Sequence, residues 1–207
     1  MSAEVRSATT IDAPPSSVRI VIAEDDANLR SALSRALSAS GHVIVGEATT
    51  LSDALDRVRE LTPDVVLLDA HLDPTKLLDA AKTLAHDAPA SGVIFLCGDD
   101  PFMLEGDVSD TSAMAVLPTS CSASVLESTI RLAAHRTREL HLARTEVATV
   151  RQQLENRKAI ERAKGILMRR TGLSEQEAYR ILQRTSQDRS VPMVEVAKEV
   201  LESEPGR

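Results

Sequence analysis

The spacing of apolar and polar positions divides the chain into two kinds of segment. Between residue 18 and about residue 120, short apolar runs alternate with longer stretches of helical spacing. VRIVIAEDD (18–26) is an apolar run that ends in acids. ANLRSALSRALSASG (27–41) follows it, with Leu29, Leu33 and Leu37 four residues apart and Gly41 placed to stop a helix. VIVGEA (43–48) predicts a second strand and LSDALDRVRELTP (51–63) a second helix. DVVLLDA (64–70) is almost continuously apolar, as a strand covered on both faces must be. SGVIFLCGDD (91–100) and AMAVLPTS (113–120) supply two more strands. Strand and helix in alternation predict a doubly wound α/β domain of flavodoxin-like type, five parallel strands with helices on both faces.

From residue 125 the pattern turns wholly helical. VLESTIRLAAHRTRELHLARTEVATVRQQLENRK (125–158) has neither Gly nor Pro, and Leu140, Ala143, Val147, Val150 and Leu154 keep the spacing of a heptad seam. Two readings are open for it, a surface helix closing the first domain or a helix paired with its counterpart in a parallel dimer. A three-helix module follows. Its first helix runs through about 157–170, with Gly172 in position for a left-handed cap. Ser174 and Glu177 form a capping box, with Leu173 and Ala178 as its staple. The second helix is expected to bury Ala178, Ile181, Leu182 and Thr185. The third, PMVEVAKEVL (192–201), is expected to bury Val194, Ala197, Val200 and Leu201.

A chain of 207 residues with 43% apolar content accommodates two such domains, each with its own core. Phe95, Phe102 and Tyr179 are its only aromatics, which excludes an extended base-stacking platform and leaves the cores to Ala, Val, Leu and Ile. Cys97 and Cys121 lack CxxC spacing and read as reduced thiols, and the histidines show no zinc spacing. Residues 1–17, rich in Ser, Thr, Ala and Pro, read as a flexible tail without the apolar region of a signal peptide. No apolar run reaches the length of a membrane span, so a cytoplasmic protein is expected.

Charge changes the picture. The net charge is -7, yet residues 144–189 hold 11 bases against 6 acids. On a helix at about 100° per residue, Arg144, Arg151, Lys158, Arg162, Gly165 and Arg169 share one narrow face, with Ile160, Ala163 and Leu167 on the other. A basic stripe opposite an apolar one, in an acidic protein, points to a polyanion. Gly165 costs about 1 kcal/mol against Ala in mid-helix, so a neighbouring helix or a phosphate chain is expected to come close there. Lys158, Arg162, Lys164, Arg169, Arg170, Tyr179 and Arg184 are the candidate contacts to that polyanion. A DNA-binding regulator is the first rival, but the second helix offers only Arg180, Gln183 and Arg184 as readers. A protein-interaction adaptor, with the basic face incidental, is the second.

At the carboxyl ends of the predicted strands stand Glu24, Asp25 and Asp26 after the first and Asp69 closing the third. Ligands of parallel sheets bind at that edge. Converging carboxylates repel unless a hard cation joins them, and an all-oxygen donor set suits Mg²⁺.

With those residues in place, 18–136 resembles the receiver domain of two-component response regulators. The resemblance makes Asp69 the phospho-accepting aspartate for a histidine kinase, and Glu24, Asp25 and Asp69 the Mg²⁺ site, with Pro118 matching the proline after the family's lysine. Three switch positions depart from the pattern. Cys97 stands for the family's Ser or Thr, Leu117 for its lysine, and Met114 takes the aromatic position; HLDPTKLLDA (71–80) replaces its Met-Pro turn. Leucine cannot neutralise a phosphoryl oxygen and a thiol is a weak donor, a loss of roughly 1.5–3 kcal/mol. A degenerate receiver, phosphorylated weakly or not at all, is expected; a working phosphorylation switch on a DNA-binding regulator is the alternative.

Residues 159–201 closely resemble the ANTAR domain, an RNA-binding module of transcription antiterminators. The match rests on Ala163-Lys164-Gly165, Leu167-Met168, Gly172, Ser174, Ala178-Tyr179, Leu182 and Val196-Ala197, with Thr185-Ser186 standing where small apolar residues are usual. The resemblance implies a dimer that binds leader stem-loops so that a terminator hairpin cannot form. The expected organisation is a tail (1–17), a receiver-like domain (18–136), a coiled-coil linker pairing two copies (137–156) and an ANTAR domain (157–203). The whole reads as a regulator and not an enzyme.

Overall fold

The computed structural model describes residues 17–98, 111 and 113–203. The tail expected over 1–17 therefore lies almost entirely outside the described residues, as do Asp99 and Asp100 of the fourth predicted strand. The chain divides into two compact units, the first ending at Leu142 and the second beginning at Ala143.

In the first unit, strands β1 (Arg19–Ala23), β2 (Val43–Ala48), β3 (Val65–Asp69), β4 (Gly92–Cys97) and β5 (Ala113–Pro118) form one parallel sheet in the order β2-β1-β3-β4-β5. Helices α1 (Ala27–Ala39), α2 (Leu51–Leu61) and α3 (Leu77–Asp87) connect the first four strands, and α4 (Ala123–Thr171) follows the fifth. The pleat sends alternate residues to opposite faces. Val21, Ala23, Val66, Leu68, Val93 and Phe95 form one core with Ala54 and Val58 of α2 and Leu77, Ala81 and Leu84 of α3. Ile20, Ile22, Val65, Leu67, Ile94 and Leu96 form the other, under Leu37 of α1 and Leu126, Ile130 and Ala133 of α4. Every residue of β3 and β4 is buried, which is why those two segments read as unbroken apolar runs.

Local chemistry sets the ends of these elements. Asp26 caps α1, its carboxylate accepting from the Asn28 and Leu29 amides at 2.7 and 3.1 Å. Thr50 caps α2 in the same way. At the start of β4, a Cβ on Gly92 would lie 2.6 Å from Thr137 Oγ1, so only glycine lets α4 seat against that strand. His42 adds a polar tie within this unit. Its Nδ1 accepts the Val18 amide at 3.2 Å, and its Nε2 meets Glu127 of α4 at 2.7 Å.

The second unit is built from the carboxyl-terminal part of α4 with α5 (Glu175–Arg189) and α6 (Met193–Glu202). One uninterrupted helix thus covers both the expected linker and the expected first helix of the module. Gly172 ends it with φ +71°. The capping box forms as read, with Ser174 accepting from Glu177 N and Glu177 accepting from Ser174 N. Ala163, Leu182, Val196 and Ala197 make the core, ringed by Ile160, Leu167, Val191, Met193 and Val200.

Several burial expectations fail here, with Thr185, Val200 and Leu201 only half-covered. Ile181 is 42% exposed, because α5 meets its neighbours through Ala178 and Leu182, and Ile181 falls beside that contact line. On α6 it is Val196 that is buried, while Val194 is only half-covered. Ser186 replaces an expected apolar residue usefully, its hydroxyl donating to the Val191 carbonyl across the turn between α5 and α6. Among the described residues no helix is long and apolar enough to cross a membrane.

Candidate functional site

The first site grows from the parallel register of β1 and β3. Ala23 pairs with Leu68, so the loop after β1 and the last residue of β3 emerge at the same sheet edge. Glu24 and Asp69 are buried there and Asp25 is exposed, with one carboxylate oxygen from each lying within 4.8 Å of the others. Asp26 belongs elsewhere, since its side chain is spent on the α1 cap. Arg30 holds the loop in shape by donating to the Glu24 carbonyl at 2.7 Å, while its Nε pairs with Glu47 at 3.4 Å.

The electrostatics leave Glu24 the least satisfied member of the cluster. Glu24 is 2% exposed, and one of its oxygens, Oε1, accepts the Asp26 amide at 3.1 Å. The other, Oε2, is buried without a hydrogen-bond partner. Burial pushes the Glu24 carboxyl up to about 7, against the pull of the Asp26 amide, and the charges of Asp69, Asp25 and Asp26 add to the rise. An all-oxygen cluster with an orphaned buried acceptor fits a hard divalent cation, with Glu24, Asp25 and Asp69 as the residues that would hold it.

Asp69 carries a contact that sequence reasoning missed. Its Oδ1 accepts the His71 amide at 3.1 Å and lies 2.9 Å from the His71 ring Nδ1. The three switch positions carry apolar or weakly polar side chains. Cys97 is fully buried, and Met114 and Leu117 pack against the core beneath α1 and α4. Neither Cys97 nor Leu117 provides an ammonium or a hydroxyl for a phosphoryl oxygen.

The second site is the basic face of the second unit, and its seven candidates separate into groups. Arg162, Arg169, Tyr179 and Arg184 are exposed, Arg184 lying 3.7 Å from Asp188. Lys158 is exposed beside Glu155 at 2.8 Å. Arg170 reaches across to Ser203, donating to its carbonyl at 2.6 Å and its hydroxyl at 3.0 Å. Lys164 turns inward. Only 7% exposed, it pairs with Glu161 at 2.8 Å and Glu175 at 2.7 Å, and its ammonium lies 6.0 Å from the Tyr179 ring centre. Donating hydrogen bonds to those two glutamates holds its pKa above the usual lysine value. The stripe's bases Arg144, Arg151, Lys158, Arg162 and Arg169 are all exposed, while Lys164, a candidate contact off that stripe, is part of the module's internal framework.

A parallel five-stranded sheet of this order, with clustered acids at the ends of β1 and β3, defines the receiver domain of a response regulator. Residues 20–131 match the response regulator receiver domain, and residues 148–201 match the ANTAR domain. The chain belongs to the response regulators that join these two domains. It is 37% identical over 185 residues to the transcriptional regulatory protein PdtaR of Mycobacterium tuberculosis, covering 89% of this chain and 90% of that one. Solved structures repeat the fold of the first unit. A DNA-binding response regulator of the LuxR family from Staphylococcus aureus superimposes with a TM-score of 0.51 at 24% identity, over 56% of this chain and 98% of its own. A two-component LuxR-family regulator from Aurantimonas sp. SI85-9A1 gives 0.51 at 20%, over 64% and 99%. Receiver domains bind Mg²⁺ at an acidic pocket and interact with kinases, ANTAR domains bind RNA, and a response regulator that joins the two is a regulatory kind of protein.

Proposed function

We propose that the chain is an RNA-binding transcription antiterminator of the cytoplasm, with Lys158, Arg162, Arg169, Tyr179 and Arg184 meeting leader stem-loops. The observation that carries this reading is the exposure of Arg162 and Arg169 on α4 while Ala163, one residue from Arg162, is wholly buried in the module's core. A guanidinium face fixed on a packed helix presents charge at low entropic cost to a phosphate backbone.

The reading extends to the receiver and the linker. Glu24, Asp25 and Asp69 hold Mg²⁺, and Asp69 is the acceptor for a histidine kinase. Leu117 and Cys97 leave the phosphorylated state poorly stabilised, so the receiver is phosphorylated weakly or not at all. Residues 137–156 pair two copies: Leu140, Val147, Val150 and Leu154 are each about half exposed, and no described part of the chain covers them. Two paired modules can engage two RNA elements at once.

The test is binding of the full chain to a synthetic RNA carrying two adjacent stem-loops, across a salt series. Replacing Arg162 by Ala is expected to weaken binding and to lower the salt slope by about 1. An unchanged slope removes the basic face from the interface. Failure of the wild-type chain to bind any stem-loop RNA, with capture of a protein instead, replaces the reading by an adaptor role.

A further inference from the structure

Gly165 lies inside α4, where glycine is the least favourable residue after proline, and nothing among the described residues demands it. The positive-φ glycines among the described residues are Gly41 and Gly172, so its backbone is open to any residue. A Cβ built on Gly165 would meet one side-chain atom, the flexible Arg169 Nη1, at an ordinary 3.5 Å. Gly92, by contrast, would drive its Cβ to 2.6 Å from Thr137. What Gly165 leaves open therefore faces the outside of the molecule, with only the movable Arg169 guanidinium reaching over it.

The surroundings of that bare patch are cationic. At about 100° per residue Gly165 points away from Ala163 and Leu167, and Lys158, Arg162 and Arg169 lie within about 60° of it. All three are exposed. Arg162 is one turn before the glycine and Arg169 one turn after, so two guanidiniums flank a notch without a side chain. A second copy of this helix is poorly suited to the notch. The apolar stripe stops at Leu154, beyond which Arg157, Lys158, Glu161 and Arg162 would meet their own counterparts. A phosphodiester chain suits it, because it is slender, anionic and recognised by paired guanidiniums.

We propose that Gly165 is the floor of a phosphate seat on the RNA-binding face, walled by Arg162 and Arg169. This rests on the RNA-binding reading above and names the point of closest approach. A methyl group at residue 165 lifts the backbone phosphate away from both guanidiniums without disturbing the module.

Gly165→Ala in the full chain tests it, because structure and function then move in opposite directions. Alanine favours the helix, so the melting temperature rises. Affinity for the synthetic two-stem-loop RNA falls about tenfold, roughly the loss of one charge-assisted hydrogen bond. The loss shrinks at high salt, and sedimentation is unchanged. Gly165→Ser gives the same loss of affinity with a smaller gain in stability. Unaltered affinity overturns the seat while leaving RNA binding by the wild type intact. A shift of the variant toward monomer overturns it in favour of a helix of the second copy, and a lowered melting temperature overturns it in favour of packing within the chain. Absence of RNA binding by the wild type itself removes the seat together with the reading beneath it.

Discussion

The His71 ring nitrogen Nδ1 and the Asp69 carboxylate oxygen Oδ1 lie 2.9 Å apart, and the same oxygen also accepts the His71 amide at 3.1 Å. One oxygen of the proposed phospho-accepting carboxylate is thus engaged twice by a residue two positions on. Each bond lowers the electron density available for attack on a phosphoryl donor. His71→Ala removes the ring contact and keeps the amide. The expected outcome is an initial rate of Asp69 labelling by acetyl phosphate roughly fivefold higher, equal to about 1 kcal/mol of hydrogen bonding. Intact-mass spectrometry measures it, with Asp69→Asn as the unlabelled reference. A slower rate in His71→Ala shows that the ring assists the phosphoryl group.

Glu24 makes stability depend on pH. Its folded pKa of about 7 stands above the ordinary 4.5. Between those values the native state keeps a proton that the unfolded chain releases, so stability falls as pH rises through that window. Above pH 7 the whole penalty is present, on the order of 3 kcal/mol. Glu24→Gln is expected to flatten this part of the profile and to melt higher than the wild type at pH 8. Mg²⁺ held at the proposed site is expected to offset the same penalty, so the wild type should gain more from it at pH 8 than at pH 6 in thermal melts in paired buffers.

Ser174 ties the start of α5 through its reciprocal box with Glu177. Ser174→Ala is expected to cost about 1 kcal/mol of the second unit's stability. Denaturant titration followed by circular dichroism measures it. RNA affinity under folding conditions should stay within twofold, since Ser174 lies outside the proposed contacts.

Leu154 and Val150 present half their surface to solvent on α4. Val150→Asp places like charges opposite one another in a pair of copies and is expected to give a monomer by sedimentation. RNA affinity for two adjacent stem-loops falls with it, while affinity for one stem-loop changes little. A wild-type chain that sediments as a monomer at tens of micromolar ends the dimer reading.

What could be read in advance was chemistry carried by neighbours in sequence. The Ser174–Glu177 box, the Gly172 cap and the fully apolar strands each declare themselves within a few residues. The acids after β1 and at the end of β3 were legible because parallel topology brings every strand's carboxyl end to one edge. Ile181 and Val196 were not, since a 3.6-residue period allows more than one face and only the packing of three helices chooses. Lys164 looked like its basic neighbours because its partner Glu175 is eleven residues away, across a helix end. His71 belongs to no periodic pattern, and only the turn after β3 returns its ring to Asp69.

His42 sits where Val18, at the edge of β1, and Glu127, on the first turns of α4, converge on one imidazole. An amide donating to Nδ1 requires a lone pair there, so the proton resides on Nε2 and is given to Glu127. The molecule therefore contains a single-tautomer ring whose two ¹⁵N resonances are far apart, one bare and one protonated. Any event that lifts the start of α4 from the sheet releases that tautomer and draws the two signals together. The junction between the receiver's sheet and its exit helix can thus be watched by nuclear resonance, with no label beyond nitrogen.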